Sequence, residues 1–223
     1  MERKERCAVS FSGGKDSLLA LDRAKRQGYQ VDFLVTMYDE ASQRVRFHGV
    51  PITLIQAQAH ALDIPLLAYP NVPATFETVF LQSLRDLRQL EISTLIFGNI
   101  HLADVRAWYE ERTIAAGLIH REPLWGEPPS QLVREFLARG YSALLTCIEE
   151  ARANSAWLGA PLTETLIRAF EQAEIDPCGE RGEYHTFVHA GPLFAAPLAF
   201  HLGERISQSG FQLIDIQPVL DGR

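Results

Sequence analysis

The sequence is poor in cysteine: Cys7, Cys147 and Cys178 are the three in 223 residues, far apart, with no CxxC pair and no even set. That spacing excludes a disulfide framework and leads us to expect a reducing, cytoplasmic setting. Cations are in deficit as well, 21 Lys and Arg against 28 Asp and Glu, for a formal net charge of −7 and no basic run. A protein that grips nucleic acid along its backbone needs clustered cations to displace counterions, so no such partner is expected. No apolar stretch approaches the roughly 20 residues of a membrane span. The amino-terminal MERKER is charged like the start of a signal peptide, but the apolar run behind it stops at Ser12-Gly13-Gly14, too soon for an h-region. Repeats and low-complexity tracts are missing too. What remains is ordinary globular composition, 47% hydrophobic and 22% charged, with length for one large domain or two small ones.

The first half alternates short apolar runs with helical patterns. Cys7–Phe11, Val31–Thr36 and Ser93–Phe97 read as buried strands, and LLAY after Pro65 is a further apolar run. Between them lie helical stretches at Asp16–Gln27, closed by Gly28, and at Ile52–Leu62, opened by Pro51. A third follows Thr75 as N-cap, with Phe76, Val79, Phe80, Leu84, Leu87 and Leu90 on one face, and a fourth spans Ala103–Ala116. This alternation predicts an α/β domain with a parallel sheet covered on both faces. Pro123, Pro128 and Pro129 then punctuate the chain, which sets a boundary: 1–125 as one domain, 126–223 as a smaller α+β domain. The second half reads as helices near Ser130–Arg139 and Leu162–Ala173 and strands at Ser142–Ile148 and Phe211–Ile216.

Between the first strand and the first helix stands SGGKDS, Ser12–Ser17. A glycine pair there lets the chain turn tightly and brings backbone amides close to a ligand. The following helix aims its free N–H groups and positive dipole end at the same point. Ser12 and Ser17 add hydroxyls and Lys15 a cation, so every part suits an oligophosphate. A plain strand-to-helix turn explains one Gly and one Ser but not the whole string. The spacing is neither the Walker A GxxxxGK[ST] nor the Rossmann GxGxxG. Asp16 has two readings: a Mg²⁺ contact, which removes the repulsion between a carboxylate and phosphates, or a charge at a helix N-terminus.

The string resembles the SGGxDS loop of the PP-loop ATP pyrophosphatases, whose ATP-binding domain has a HUP-like, Rossmann-like parallel sheet. That resemblance implies that Ser12, Gly13, Gly14, Lys15, Asp16 and Ser17 hold the pyrophosphate part of ATP, with adenine near Thr36 and Met37. Three further segments, Gln56–Tyr69, Phe97–Trp125 and Cys178–Phe194, are similar to the diphthine–ammonia ligase family, a PP-loop branch, in a bacterial-type form. The likeness runs from Val9 to about Phe194. It implies an ATP-dependent, amide-forming ligase that adenylates a small-molecule carboxylate, releases pyrophosphate and transfers ammonia, with ATP and Mg²⁺ as cofactors and Asp16 as metal contact. It adds Gly98 to the cofactor-binding set and makes Lys15, Asp16, Arg106, Glu180, Glu183 and Thr186 the catalytic candidates, with the second domain closing over the first.

From residues alone Arg106 and Glu110 read as a helical surface pair, and ERGE as a solvated turn before a strand HTFV. The resemblance reverses that preference for Glu180, Glu183 and Thr186, while His185 and Trp125 stay outside the set. His101 and Asp104 read as polar loop and helix-start residues. Two departures stand out: Asn99 where the family reads Asp, and Arg181 between the two Gly-Glu pairs. The loss of charge at Asn99 supports a second reading, an AMP- or ATP-binding sensor without turnover. Sulfur transfer to RNA would need catalytic cysteines and a basic surface. A homo-oligomer is compatible with all of this.

Overall fold

Cys7, Ala8 and Val9 are fully buried, which makes Arg6–Ser10 (β1) a central strand. Its side chains alternate, so Cys7 and Val9 enter one buried cluster and Ala8 the other. In the computed structural model, which describes residues 5–219, β1 is the middle strand of a five-stranded parallel sheet. Its neighbours are β2 (Gln30–Asp39), β3 (Leu66–Asn71), β4 (Thr94–Ile96) and β5 (Ile119–Arg121), in the order β3-β2-β1-β4-β5. The register sets Val9 between Leu34 and Ile96.

Helices α1 (Lys15–Arg26) and α2 (Ile52–Ala61) cover the Cys7–Val9 face, while α3 (Phe76–Gln89) and α4 (Ala103–Ala115) cover the other. The expected α/β architecture is therefore present. Gly28, at φ 92°, ends α1: the amides of Gly28 and Tyr29 return to the carbonyls of Lys25 and Ala24, both at 3.1 Å. Thr75 occupies the N-cap position of α3, but its hydroxyl bonds Val72 at 3.2 Å rather than an α3 amide. A short 3₁₀ turn, Pro73–Thr75, claims it first.

The second half contains α5 (Pro129–Ala138), β6 (Ser142–Glu149), α6 (Glu164–Gln172), β7 (Tyr184–Ala190), β8 (Phe200–Gln208) and β9 (Phe211–Pro218). The four strands form an antiparallel sheet, β7-β6-β9-β8. Thr163 caps α6 by accepting from the Leu166 amide at 3.2 Å. The buried cluster on the α1–α2 face runs on through Phe136, Leu145, Phe187 and Ile216, with α1 packed on β7 and α2 on β9. Two strands lay outside the sequence expectation. β5 is three residues long, and β8 is exposed along most of its length, so neither carries a hydrophobic period. No helix among the described residues is long and apolar enough to cross a membrane.

This topology places the site. From β1 the chain winds outward through β2 and β3, then returns to the opposite side of β1 for β4 and β5. The strand order reverses between β1 and β4, and ligands of open α/β sheets bind in the crevice beyond the carboxyl ends of such strands.

Candidate functional site

The loop Ser12–Gly14 and the segment Phe97–Asn99 leave the adjoining ends of β1 and β4 and form the floor of that crevice. Gly13 adopts φ 81°, and a Cβ there would lie 2.4 Å from Gln58 Oε1 and 2.5 Å from Ile55 Cδ1, so both conformation and space demand glycine. Gly98 is demanded by space: its Cβ would meet the Asp16 carbonyl group at 2.9 Å. Ser17 Oγ donates to Gly14 O at 3.0 Å and lies 3.4 Å from Ser12 Oγ. The Lys15 amide, first in α1, donates to Thr186 Oγ1 at 3.1 Å. Among the described residues no other residue accepts the amides of Asp16 and Ser17; the Asp16 amide faces its own carboxylate, and both N–H groups lie at the helix N-terminus, where an anion can take them.

Lys15 is only 3% exposed. Its ammonium donates to Asp16 Oδ2 at 2.9 Å and to the Cys178 carbonyl, and sits 4.8 Å from the centre of the Tyr184 ring. Two hydrogen bonds and the ring face thus hold the ammonium in place. Burial alone would depress its pKa, but Asp16, with Tyr184 and Cys178, holds it above the ordinary value. Asp16, 29% exposed, is raised by burial against the pull of Lys15. Glu180 accepts the Ile100 amide at 3.0 Å. Burial, then the neighbouring Asp16 charge, pushes its carboxyl up to about 7.

Two cavities meet here. The larger, about 440 Å³, is mostly apolar and is lined by Val35, Thr36, Met37, Phe80 and Tyr109 among others. Thr36 Oγ1 and Asn71 Oδ1, from residues on its wall, are buried without a protein partner. The smaller, about 220 Å³, is polar and is lined by Ser12, Lys15, Asp16, Ser17, Gly98, Asn99, Glu180 and Thr186. Ser10, Ser12, His48 and Tyr109 belong to both.

The residues singled out in the sequence thus divide. Ser12, Lys15, Asp16, Ser17, Gly98, Glu180 and Thr186 converge on the polar cavity, Thr36 and Met37 line the apolar one, and Gly13 and Gly14 form the turn beside them. Arg106 and Glu183 line neither. Arg106 pairs with Glu122 at 3.2 Å and Glu110 at 3.5 Å and lies 4.6 Å from the Trp125 ring centre. Glu122, its side chain buried, accepts the Asn99 side-chain amide at 2.7 Å, so Arg106 reaches the cavity wall at Asn99 only through Glu122. Glu183 is buried and ties its own turn, accepting from the amides of Arg181 (3.1 Å) and Asp176 (3.4 Å) and pairing with Arg152 at 3.2 Å.

Sequence reasoning missed His48, Tyr109 and Tyr184. His48 sits in an irregular segment with no periodicity to mark it. Its ring lies 4.7 Å from that of His185, and its Nδ1–H donates to the Thr186 carbonyl at 3.0 Å, since a carbonyl can only accept. Burial lowers its pKa to about 4 despite that bond, so the ring is neutral. His185 is lowered well below its ordinary value by burial and by His48 and Lys15.

A parallel sheet with its cavity at the switch point and a glycine turn opening a helix N-terminus defines a Rossmann-like, PP-loop α/β protein with a smaller second domain. The chain belongs to the diphthamide synthase family: the model of the diphthamide synthase N-terminal domain matches residues 5–119, and that of the C-terminal domain matches residues 128–218. Among curated proteins it is similar to the diphthine–ammonia ligase of Schizosaccharomyces pombe, at 25% identity over 206 residues, 82% of this chain. The chain spans only 34% of that protein's length. The mouse diphthine–ammonia ligase is also 25% identical, over 92% of this chain and 86% of its own.

Proposed function

We propose that this chain is an ATP-dependent ligase that activates a small-molecule carboxylate and converts it to an amide with ammonia. The observation that carries the reading is the junction of an apolar and a polar cavity at the N-terminus of α1, where no other residue takes the amides of Asp16 and Ser17. The two cavities suit the two ends of one nucleotide, a purine against Thr36 and Met37 and phosphates at Ser12–Ser17. The match to the family and the names of its curated relatives support the ligase chemistry. The division near residue 125 into a nucleotide-binding part and a substrate part belongs to the same reading.

In this reaction a carboxylate oxygen bonds to the α-phosphorus of ATP, the bond to the bridging oxygen breaks, and pyrophosphate leaves with the electron pair. Ammonia then bonds to the acyl carbon, AMP leaves, and the surplus proton is shed. The protein's part is positioning and charge. Those amides and the Ser12 and Ser17 hydroxyls bind phosphate oxygens. Lys15, held by Asp16 and the Cys178 carbonyl, contributes charge and orients Asp16. Glu180, titrating near neutrality, takes the proton that nitrogen loses. Arg106 acts from behind through Glu122 and Asn99, and Glu183 by holding the turn that carries Glu180.

A magnesium ion fits this donor set. Among the described residues no three His, Cys, Asp or Glu side chains form a ready-made cage, but magnesium takes one or two carboxylates and completes its shell with phosphates and water. Asp16 supplies such a carboxylate; the bound ion would neutralise pyrophosphate charge.

The test is product analysis. Purified protein with Mg·ATP, ammonium and a panel of small carboxylates should release AMP and pyrophosphate in equal amounts, dependent on both co-substrates. ADP and phosphate as products, or tight nucleotide binding with no cleavage for any carboxylate, would reject the ligase reading.

A further inference from the structure

Helix α1 begins without a cap of its own. Its N-cap residue is Gly14, which has no side chain to offer, although Ser, Thr, Asp and Asn are the usual occupants. A Cβ at that position would lie 2.6 Å from His48 Cε1 and 3.2 Å from the Thr186 carbonyl oxygen. The cap comes instead from β7, 171 residues away, where Thr186 Oγ1 accepts the Lys15 amide at 3.1 Å. The Thr186 carbonyl is pinned in turn by His48 Nδ1 at 3.0 Å.

One residue earlier the same thing happens to the turn itself. The Gly13 carbonyl accepts the Val188 amide at 3.0 Å and Gln58 Nε2 at 2.9 Å. Gln58, fully buried on α2, donates its second N–H to the Val188 carbonyl at 2.6 Å. One amide group therefore bridges the turn and β7, with both donors spent on carbonyls. Three elements, α2, β7 and the segment carrying His48, converge on two consecutive peptide groups of the loop.

We propose that Gln58 and Thr186 are positioning residues for the phosphate loop, so that the second sheet is a standing part of the phosphate-binding site rather than a cover that closes over it. The proposal rests on the nucleotide reading above and deepens it. By occupying the Lys15 amide, Thr186 leaves those of Asp16 and Ser17 as the donors of the first turn that no other residue takes. By holding Gly13 O, Gln58 and Val188 fix the tilt of the peptide that leads into them. Ligands that engage the loop through phosphate depend on these bonds. A ligand that fills only the apolar cavity does not.

The experiment is calorimetry of Mg·ATP, magnesium pyrophosphate and adenosine with wild type, Gln58→Met, Thr186→Val and Thr186→Ser, with melting curves and amide exchange at Lys15. Both Gln58→Met and Thr186→Val should weaken ATP and pyrophosphate by about tenfold or more, the scale of one charge-assisted hydrogen bond. Adenosine affinity should stay within about twofold, and Thr186→Ser should recover most of the loss, because the hydroxyl returns. Exchange at the Lys15 amide should quicken in Thr186→Val. If either Gln58→Met or Thr186→Val binds ATP as wild type does, or if ATP and adenosine weaken together in step with a lower melting temperature, the positioning role is overturned. Should Gln58→Met not fold, the Thr186 pair decides. A wild type that binds neither ATP nor pyrophosphate fails the nucleotide reading itself, a result distinct from the others.

Discussion

Gly98→Ala is the sharpest single perturbation of the phosphate cradle. A Cβ on residue 98 would meet the Asp16 carbonyl carbon and oxygen at 2.9 Å and the Ser17 nitrogen at 3.0 Å, where ordinary contact starts at 3.4 Å. These are backbone atoms of a helix held on its other side by Thr186, so no side chain can swing away. The first turn of α1 must retreat by roughly half an ångström, an overpacking cost of about 1–3 kcal/mol. At about 2–4 °C per kcal/mol for a chain of this length, the melting temperature should fall by about 2–12 °C. If the same strain is relieved at the expense of binding, ATP affinity should drop by about 5- to 150-fold. Gly28→Ala supplies the comparison. Gly28 has φ 92° and nothing within 4 Å of the position a Cβ would take, so its cost is left-handed strain of about 1–2 kcal/mol at the far end of α1. It should lower the melting temperature and leave ATP binding alone. Equal ATP affinity in wild type and Gly98→Ala, or equal losses in both variants, would show that the close approach of residue 98 does not shape the cradle.

Three further outcomes are expected. Glu180 is raised in the folded state to about 7, so its contribution to stability is full below its ordinary value near 4.5 and is lost as pH rises through 7. Melting curves at pH 5 and 8 should therefore show wild type losing stability relative to Glu180→Gln across that interval; parallel pH dependence would contradict the shift. Asp16→Asn should reduce AMP formation by more than about tenfold while circular dichroism shows a folded chain, and unchanged turnover would demote Asp16 to a charge at a helix N-terminus. Arg23 on α1 pairs with Glu127 and Glu135 and donates to Pro123 O at 2.8 Å, joining α1 to the start of the second half. Because Arg23 is 15% exposed and its partners more so, Arg23→Met should cost about 1–3 kcal/mol, seen by denaturant titration, without changing ATP affinity.

Local chemistry was legible in the sequence, and long-range partnership was not. The apolar runs of β1 and β4, the amphipathic face of α3 and the Gly28 stop signal follow from periods and caps that a dozen neighbouring residues display. SGGKDS was legible for the same reason: its glycines, hydroxyls and charges lie within one turn. Thr36 and Met37 sit on the apolar cavity because β2 ends beside β1 in a parallel sheet. By contrast, Gln58 looks like one polar residue on a helix and His48 like part of a loop until β7 brings Val188 and Thr186 beside them. Glu183 and Arg106 show the limit from the other side. The family resemblance marked both as chemical against the plainer reading of their own neighbours, but backbone amides and Arg152 enclose Glu183, and Glu122 holds Arg106 away from the cavities. β8, exposed on both faces and lying at a sheet edge, has no burial pattern to read.

The decisive measurement is a crystal structure with Mg²⁺ and an ATP analogue carrying a methylene bridge between its α- and β-phosphorus. The adenine ring should lie in the cavity beside Thr36 and Met37, with the outer phosphates on the Asp16 and Ser17 amides. The α-phosphate should lie at the junction formed by Ser10, Ser12, His48 and Tyr109. A nucleotide bound elsewhere, or one whose phosphates point away from Ser12–Ser17, would contradict the phosphate-loop reading.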